Sequence, residues 1–206
     1  ANLISRFWDV TTGSITIGGV DVRDMAEAER MRHVSFVFQD IFLFKQSILD
    51  NIRMGNPTAT EEEVVRAAKA AQCRDFISKL PDGYHTVVGT KGVHLSGGER
   101  QRIAIARAII KDAPVIVLDE ATAFSDPENE YLIQKAFERL MQGKTVIIIA
   151  HRLSTIRHAD KILVMEKGRL VEEGTHDALL ASGGRYAQMW EHYNEATLWK
   201  IHGKAV

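Results

Sequence analysis

The run Leu95-Ser96-Gly97-Gly98-Glu99-Arg100-Gln101 constrains the fold most, because the apolar run Val115-Ile116-Val117-Leu118, ending in Asp119-Glu120, follows it closely. A small-residue turn that opens a helix leaves backbone N–H groups facing outward, where an anion can meet them. An apolar strand that ends in two carboxylates delivers acidic groups to the edge of a sheet, a place suited to a divalent cation and a water. Ser96 and Glu99 have the spacing of a capping box, which alone would describe only a well-made helix start. Gly97-Gly98 asks for more, since glycine costs helix stability unless something must approach the backbone closely. Together the two segments read as half of a nucleoside-triphosphate site. Nowhere do the 206 residues contain a G-x-x-x-x-G-K-[ST] phosphate loop.

Periodicity around this pair predicts an α/β chain. Leu3, Ile4 and Phe7 share a helical face and read as the tail of a helix. Gly13-Ser14 leads into Ile15-Thr16-Ile17, and Gly18-Gly19 turns again as a short hairpin. Val34–Phe38 is a strand that ends at Gln39-Asp40. Glu61 to Leu80 reads as a helix with Thr60 as its N-cap, broken by Pro81-Asp82-Gly83. Ile103, Ala106, Ile109 and Ile110 carry a second helix to Lys111-Asp112. After strand Val115–Leu118 come helix Pro127–Met141, strand Thr145–Ala150 and a short helix near Ser154–His158. Lys161–Met165 and Arg169–Glu173 form a hairpin, and a helical region interrupted at Gly183-Gly184 closes the chain, its residues from about Asn194 onward either fraying or contacting a partner. Strands that alternate with helices and are apolar on both faces imply a sheet covered on two sides.

Composition excludes several classes. The balance of 26 Lys+Arg against 27 Asp+Glu offers no electrostatic attraction for nucleic acid or an anionic membrane surface. Cys73 is the single cysteine, so neither a disulfide framework nor a thiolate zinc site is available, and a reducing, cytosolic setting fits. Runs such as Val146-Ile147-Ile148-Ile149-Ala150 are strand-sized, and no signal-peptide pattern is visible, so the domain itself is expected to be soluble. The histidines show no H-E-x-x-H spacing.

The seven residues Leu95–Gln101 resemble the signature motif of the ATP-binding cassette (ABC) family, and Val115–Glu120 resembles its Walker B strand. Ala150-His151-Arg152 resembles the switch histidine, Gln39 the Q-loop glutamine and Asp126 the D-loop aspartate, although Ala123-Phe124-Ser125 departs from the usual Ser-Ala-Leu before it. Ser47–Ile52 and Thr86–Gly92 look like exporter-type sequences, the second like the X-loop. The resemblance runs from Ala1 to about His192. It implies an α/β ABC-type ATPase: a P-loop NTPase-like parallel-sheet core, N-terminally truncated before its Walker A helix, with a helical subdomain at roughly 45–112 and a tail at 194–206.

The same resemblance implies roles. Asp119 and Gln39 would hold Mg²⁺, Glu120 would act as general base or polarise the attacking water, and His151 would contact the γ-phosphate. Leu95, Ser96, Gly97, Gly98, Glu99 and Gln101 would face ATP held by a second nucleotide-binding domain, in a homo- or heterodimer, with Asp126 at the same junction. The apolar cluster Ile41-Phe42-Leu43-Phe44 is either core filling or a docking surface for a transmembrane partner. The implied protein is the ATP-hydrolysing motor of an exporter, on the cytoplasmic face of a membrane, with no nucleic-acid partner. A soluble ABC ATPase acting on ribosomes or DNA, and a domain that only dimerises or regulates, are the rivals. Without a Walker A loop the 206 residues alone are expected to bind ATP poorly and to hydrolyse it negligibly. All of this requires Gln39, Asp119, Glu120 and His151 to gather along one rim of the sheet, with Ser96 pointing outward.

Overall fold

Gly18 and Gly19 both adopt positive φ, 60° and 84°. Their two-residue turn therefore matches strand twist and pairs β1 (Thr16–Ile17) with β2 (Val20–Asp21) antiparallel. The computed structural model describes residues 3–38, 40–89, 93–119, 127–150 and 153–202, which fall into two compact units, Ala1–Ile149 and Ala150–Val206.

The first unit departs from the sequence reading at its start. Residues 3–8 are turns and bends, not a helix tail. Arg6 stands at φ 52° and donates its N–H to Leu3 O at 3.1 Å, while the Ser5 carbonyl accepts from Arg30 Nε at 2.9 Å. The chain is thus bent where a helix would continue. Arg30 lies on an unanticipated helix, α1 (Glu27–His33), whose acidic first turn and basic last turn complement the helix dipole. Its guanidinium is buried and also donates to Val22 O and Met25 O. That burial hides the helix from an apolar-periodicity search.

After α1 come β3 (Val34–Val37), α2 (Ile48–Arg53) and α3 (Glu61–Ala70). Thr60 and Glu63 close a complete capping box on α3, worth about 1 kcal/mol. The helix expected to reach Leu80 stops early. Gln72 takes a left-handed φ of 58°, and a separate short helix, α4 (Arg74–Ile77), follows. The next elements are α5 (Gly97–Lys111), β4 (Val115–Asp119), α6 (Pro127–Met141) and β5 (Thr145–Ile149).

β3, β4 and β5 form a parallel sheet with β4 in the centre. Ile116, Val117 and Leu118 are buried, as a central strand covered on both faces requires. One core joins this sheet to the helices: Val37, Ile116 and Leu118 pack with Ile48 and Ile52 of α2, Val64 of α3, Ile103 and Ala106 of α5, and Ile133 and Phe137 of α6.

The second unit holds the predicted hairpin, β6 (Ile162–Glu166) and β7 (Arg169–Gly174), turned by Lys167 and Gly168 at positive φ. Two helices follow, α7 (His176–Ala181) and α8 (Arg185–His202), on either side of the Gly183-Gly184 break. Ile162, Val164, Leu179 and Tyr186 form its core. No described helix is long and apolar enough to cross a membrane.

Candidate nucleotide site

The rim of the sheet is set by register. Val37 lies opposite Leu118, Leu118 opposite Ile148, and Asp119 opposite Ile149, so the three parallel strands end at one height. Carboxyl ends of parallel strands are where α/β sheets bind ligands. Asp119 sits there, half-buried, and its carboxylate receives no hydrogen bond or ion pair among the described residues. Gln39, Glu120, Asp126 and His151 lie outside the described residues. Among the described residues no three His, Cys, Asp or Glu side chains cluster as a metal site. A carboxylate at the carboxyl end of the central strand, with no partner among the described residues, suits Mg²⁺, which takes one or two carboxylates and completes its shell with water and phosphate oxygens.

The serine turn is built as its spacing predicts. Ser96 caps α5: its Oγ accepts from the Glu99 N–H at 3.2 Å, and its own N–H donates to Glu99 Oε2 at 2.7 Å. Ser96 and Gly97 are exposed. Among the described residues the hydroxyl donates to nothing, and the first helical N–H groups have no backbone partner within the helix. Arg100 is exposed too and Glu99 is half-buried, whereas Leu95, Gly98 and Gln101 are buried. Leu95 is 7% exposed and Gln101 1%, so these two side chains are buried within the subunit. Gly98 has a packing reason to be glycine: a Cβ there would lie 2.8 Å from Asn129 Cγ on α6. Asn129 in turn accepts from Arg102 Nη1 at 2.6 Å, tying α5 to α6 beside the turn.

The apolar cluster after Gln39 divides. Leu43 packs against the core, whereas Phe42 is 68% exposed and Phe44 45%, their rings edge to face at 4.9 Å. Two residues that the sequence did not single out by role hold this loop. Asn51 is fully buried; its Nδ2 donates to Phe44 O at 3.0 Å and Ser47 O at 3.0 Å, and its Oδ1 accepts from Phe44 N–H at 2.9 Å. Arg107, on α5, donates from Nη2 to Asn51 Oδ1 at 2.5 Å, from Nε to Asn51 O at 2.6 Å and from Nη1 to Phe42 O at 2.8 Å. Burial pushes the Arg107 pKa down. The X-loop-like segment joins the same region, since Ile48 N–H donates to Thr86 O and Val88 N–H to Gln46 O, while Thr90-Lys91-Gly92 lie outside the described residues.

A parallel sheet with its acidic strand in the centre, beside a helix opened by an exposed serine–glycine turn, defines an α/β domain of the kind that meets ligands at its strand ends. A family model described as ABC transporter matches residues 1–123, and the chain belongs to that family. It is 54% identical over 191 residues to the mycobactin import ATP-binding/permease protein IrtA of Mycolicibacterium thermoresistibile, covering 93% of this chain and 21% of that protein. It is 52% identical over 188 residues to the ATP-dependent lipid A-core flippase of Syntrophus aciditrophicus, covering 91% of this chain and 31% of the flippase. A solved structure of a bacterial Atm1-family ABC exporter with ATP bound superposes with a TM-score of 0.85 at 43% identity, over 93% of this chain and 33% of the other. The chain thus spans between a fifth and a third of the length of these proteins.

Proposed function

We propose that the chain is part of the ATP-hydrolysing motor of an exporter-type ABC transporter, acting with a second such domain and a transmembrane domain at the cytoplasmic face of a membrane. The observation that carries this is the exposed, fully capped Ser96–Gly97 turn at the start of α5. Its geometry suits an oxyanion presented from outside the subunit: the Ser96 hydroxyl donates while still accepting from Glu99, and the Gly97 amide adds a second donor at the positive helix end. Leu95 and Gln101 are buried beside the turn in sequence. Asp119 and Gln39 are the residues that would hold Mg²⁺, whose charge offsets that of the phosphate oxygens. Glu120 orients the attacking water and takes its proton, and His151 donates to the γ-phosphate. Asp126 belongs to the junction between the two domains.

A phosphate loop is absent from these 206 residues and has to be supplied for turnover. The relatives are named as ATP-binding/permease proteins and flippases, which favours a membrane partner over a ribosome or DNA. Their names include import as well as flipping, so they assign neither a cargo nor a direction to this chain. The test is Mg-ATP hydrolysis by the intact protein in lipid nanodiscs. Glu120→Gln is expected to keep ATP binding and lose most turnover. Turnover equal to the parent's removes Glu120 from its role, and an intact protein that neither binds nor hydrolyses ATP defeats the proposal.

A further inference from the structure

Arg107 does something no local pattern explains. Its guanidinium, on α5 eleven positions beyond Ser96, spends two hydrogen bonds on Asn51 of α2 and one on the Phe42 carbonyl of the loop that carries Phe42 and Phe44. All three acceptors are amide oxygens, and none is a carboxylate. A planar fork with fixed donor directions fits several such acceptors at once, which an ammonium cannot do. Asn51 completes the strut, since the amide that receives Arg107 Nη2 also grips Phe44 through both its donor and its acceptor. Gly55 allows the strut to be short, because a Cβ there would collide with the Arg107 carbonyl oxygen.

We propose that Arg107 is a positioning residue that makes the exposed Phe42–Phe44 loop and the serine-turn helix α5 move as one body. The loop lies directly after Gln39 and presents two aromatic faces to a partner, while α5 presents Ser96 to a nucleotide. A force on either end is then felt at the other through the guanidinium. This deepens the motor proposal above and rests on it.

The intact protein in nanodiscs supplies the test, using a double-mutant cycle of Arg107→Lys and Phe42→Ala. Phe42 is largely exposed, so its truncation leaves folding unaffected. Each single variant is expected to lower kcat for ATP by about tenfold while KM stays within about twofold, as a positioning loss requires. The double variant is expected to be no slower than the worse single, because both cut one link. Multiplying effects, or a parent-like kcat for Arg107→Lys, overturn the proposal. A lowered melting temperature with unchanged kcat also overturns it, since that is the mark of a merely structural residue.

A second measurement needs no change at Arg107. In the Glu120→Gln protein, Mg-ATP is expected to slow hydrogen exchange at residues 42–46, and unaltered exchange at a nucleotide concentration that saturates binding overturns the proposal. A parent protein without any ATP binding would instead defeat the motor proposal, so the two failures are distinguishable.

Discussion

Gly55→Ala tests the close crossing of α2 and α5 on which both the core and the Arg107 strut depend. Gly55 follows α2, and its φ lies outside the left-handed region, so alanine is conformationally allowed there. On backbone entropy alone the substitution should stabilise by about 0.4–1 kcal/mol. Space decides otherwise. The new Cβ would strike the Arg107 carbonyl oxygen and stand 2.7 Å from Ile110 Cγ2 and 3.0 Å from the Arg107 carbonyl carbon, where ordinary contact begins at 3.4 Å. The nearest obstacle is main chain, which no rotamer change can move. The helices must separate by about 0.7 Å or more, and a gap of that size forfeits roughly a quarter of each dispersion contact along the seam. Ile48 and Ile52 of α2 and Ile103 and Ala106 of α5 are fully buried in that shared core, so the loss falls on well-packed atoms. Overpacking of this kind costs about 1–3 kcal/mol, leaving a net destabilisation of about 1–2 kcal/mol. In a urea titration of the chain followed by helical circular dichroism, the midpoint is expected to fall by roughly 0.5–1 M. Gly143→Ala is the control, with φ 69° but open space around its Cβ, so its cost of about 1 kcal/mol is conformational. A Gly55→Ala protein as stable as the parent would refute the close-crossing argument.

Three further outcomes follow from buried polar groups. Cys73 is fully buried and burial pushes its thiol up to about 12 from 9.0, so a thiol reagent at pH 8 should label it only after denaturation. Because the folded chain keeps that proton longer than the unfolded chain, this contribution to stability is complete below pH 9.0 and is lost as pH rises towards about 12. Its slope is about 1.4 kcal/mol per pH unit, and alkaline denaturation curves that coincide for parent and Cys73→Ala would contradict it. In the second unit His176 Nδ1 and Tyr186 OH lie 2.8 Å apart, and both residues are buried. Tyr186→Phe leaves the imidazole without that partner and should cost about 1–3 kcal/mol, read from thermal unfolding; a cost within error of zero would show that the pair contributes nothing.

Much of the α/β order was legible because each element's information is local. Apolar runs of strand length marked β3, β4 and β5, Ser96 and Thr60 marked two helix starts, and glycine pairs marked the turn at Gly18-Gly19 and the break at Gly183-Gly184. Helix α1 was not legible, because its inward face carries an arginine whose partners are main-chain carbonyls. The stop at Gln72 was equally hidden, since a glutamine in the left-handed region leaves no trace in periodicity. Within the site, Asp119 and the serine turn were readable as types and spacings, but Asn51 and Arg107 were not.

The order of amino acids alone determined which strands and helices could form, where a helix start could leave backbone donors for an anion, and which family the chain resembles. Each depends on residues within a few positions of one another, whose chemistry does not wait for the rest of the fold. The tertiary structure alone decided which residues of the run Leu95–Gln101 face outward, and that three strand ends share one rim. It also decided that an arginine and an asparagine 56 positions apart brace a surface loop. Register, burial and long-range hydrogen bonds arise only when distant segments compete for the same space.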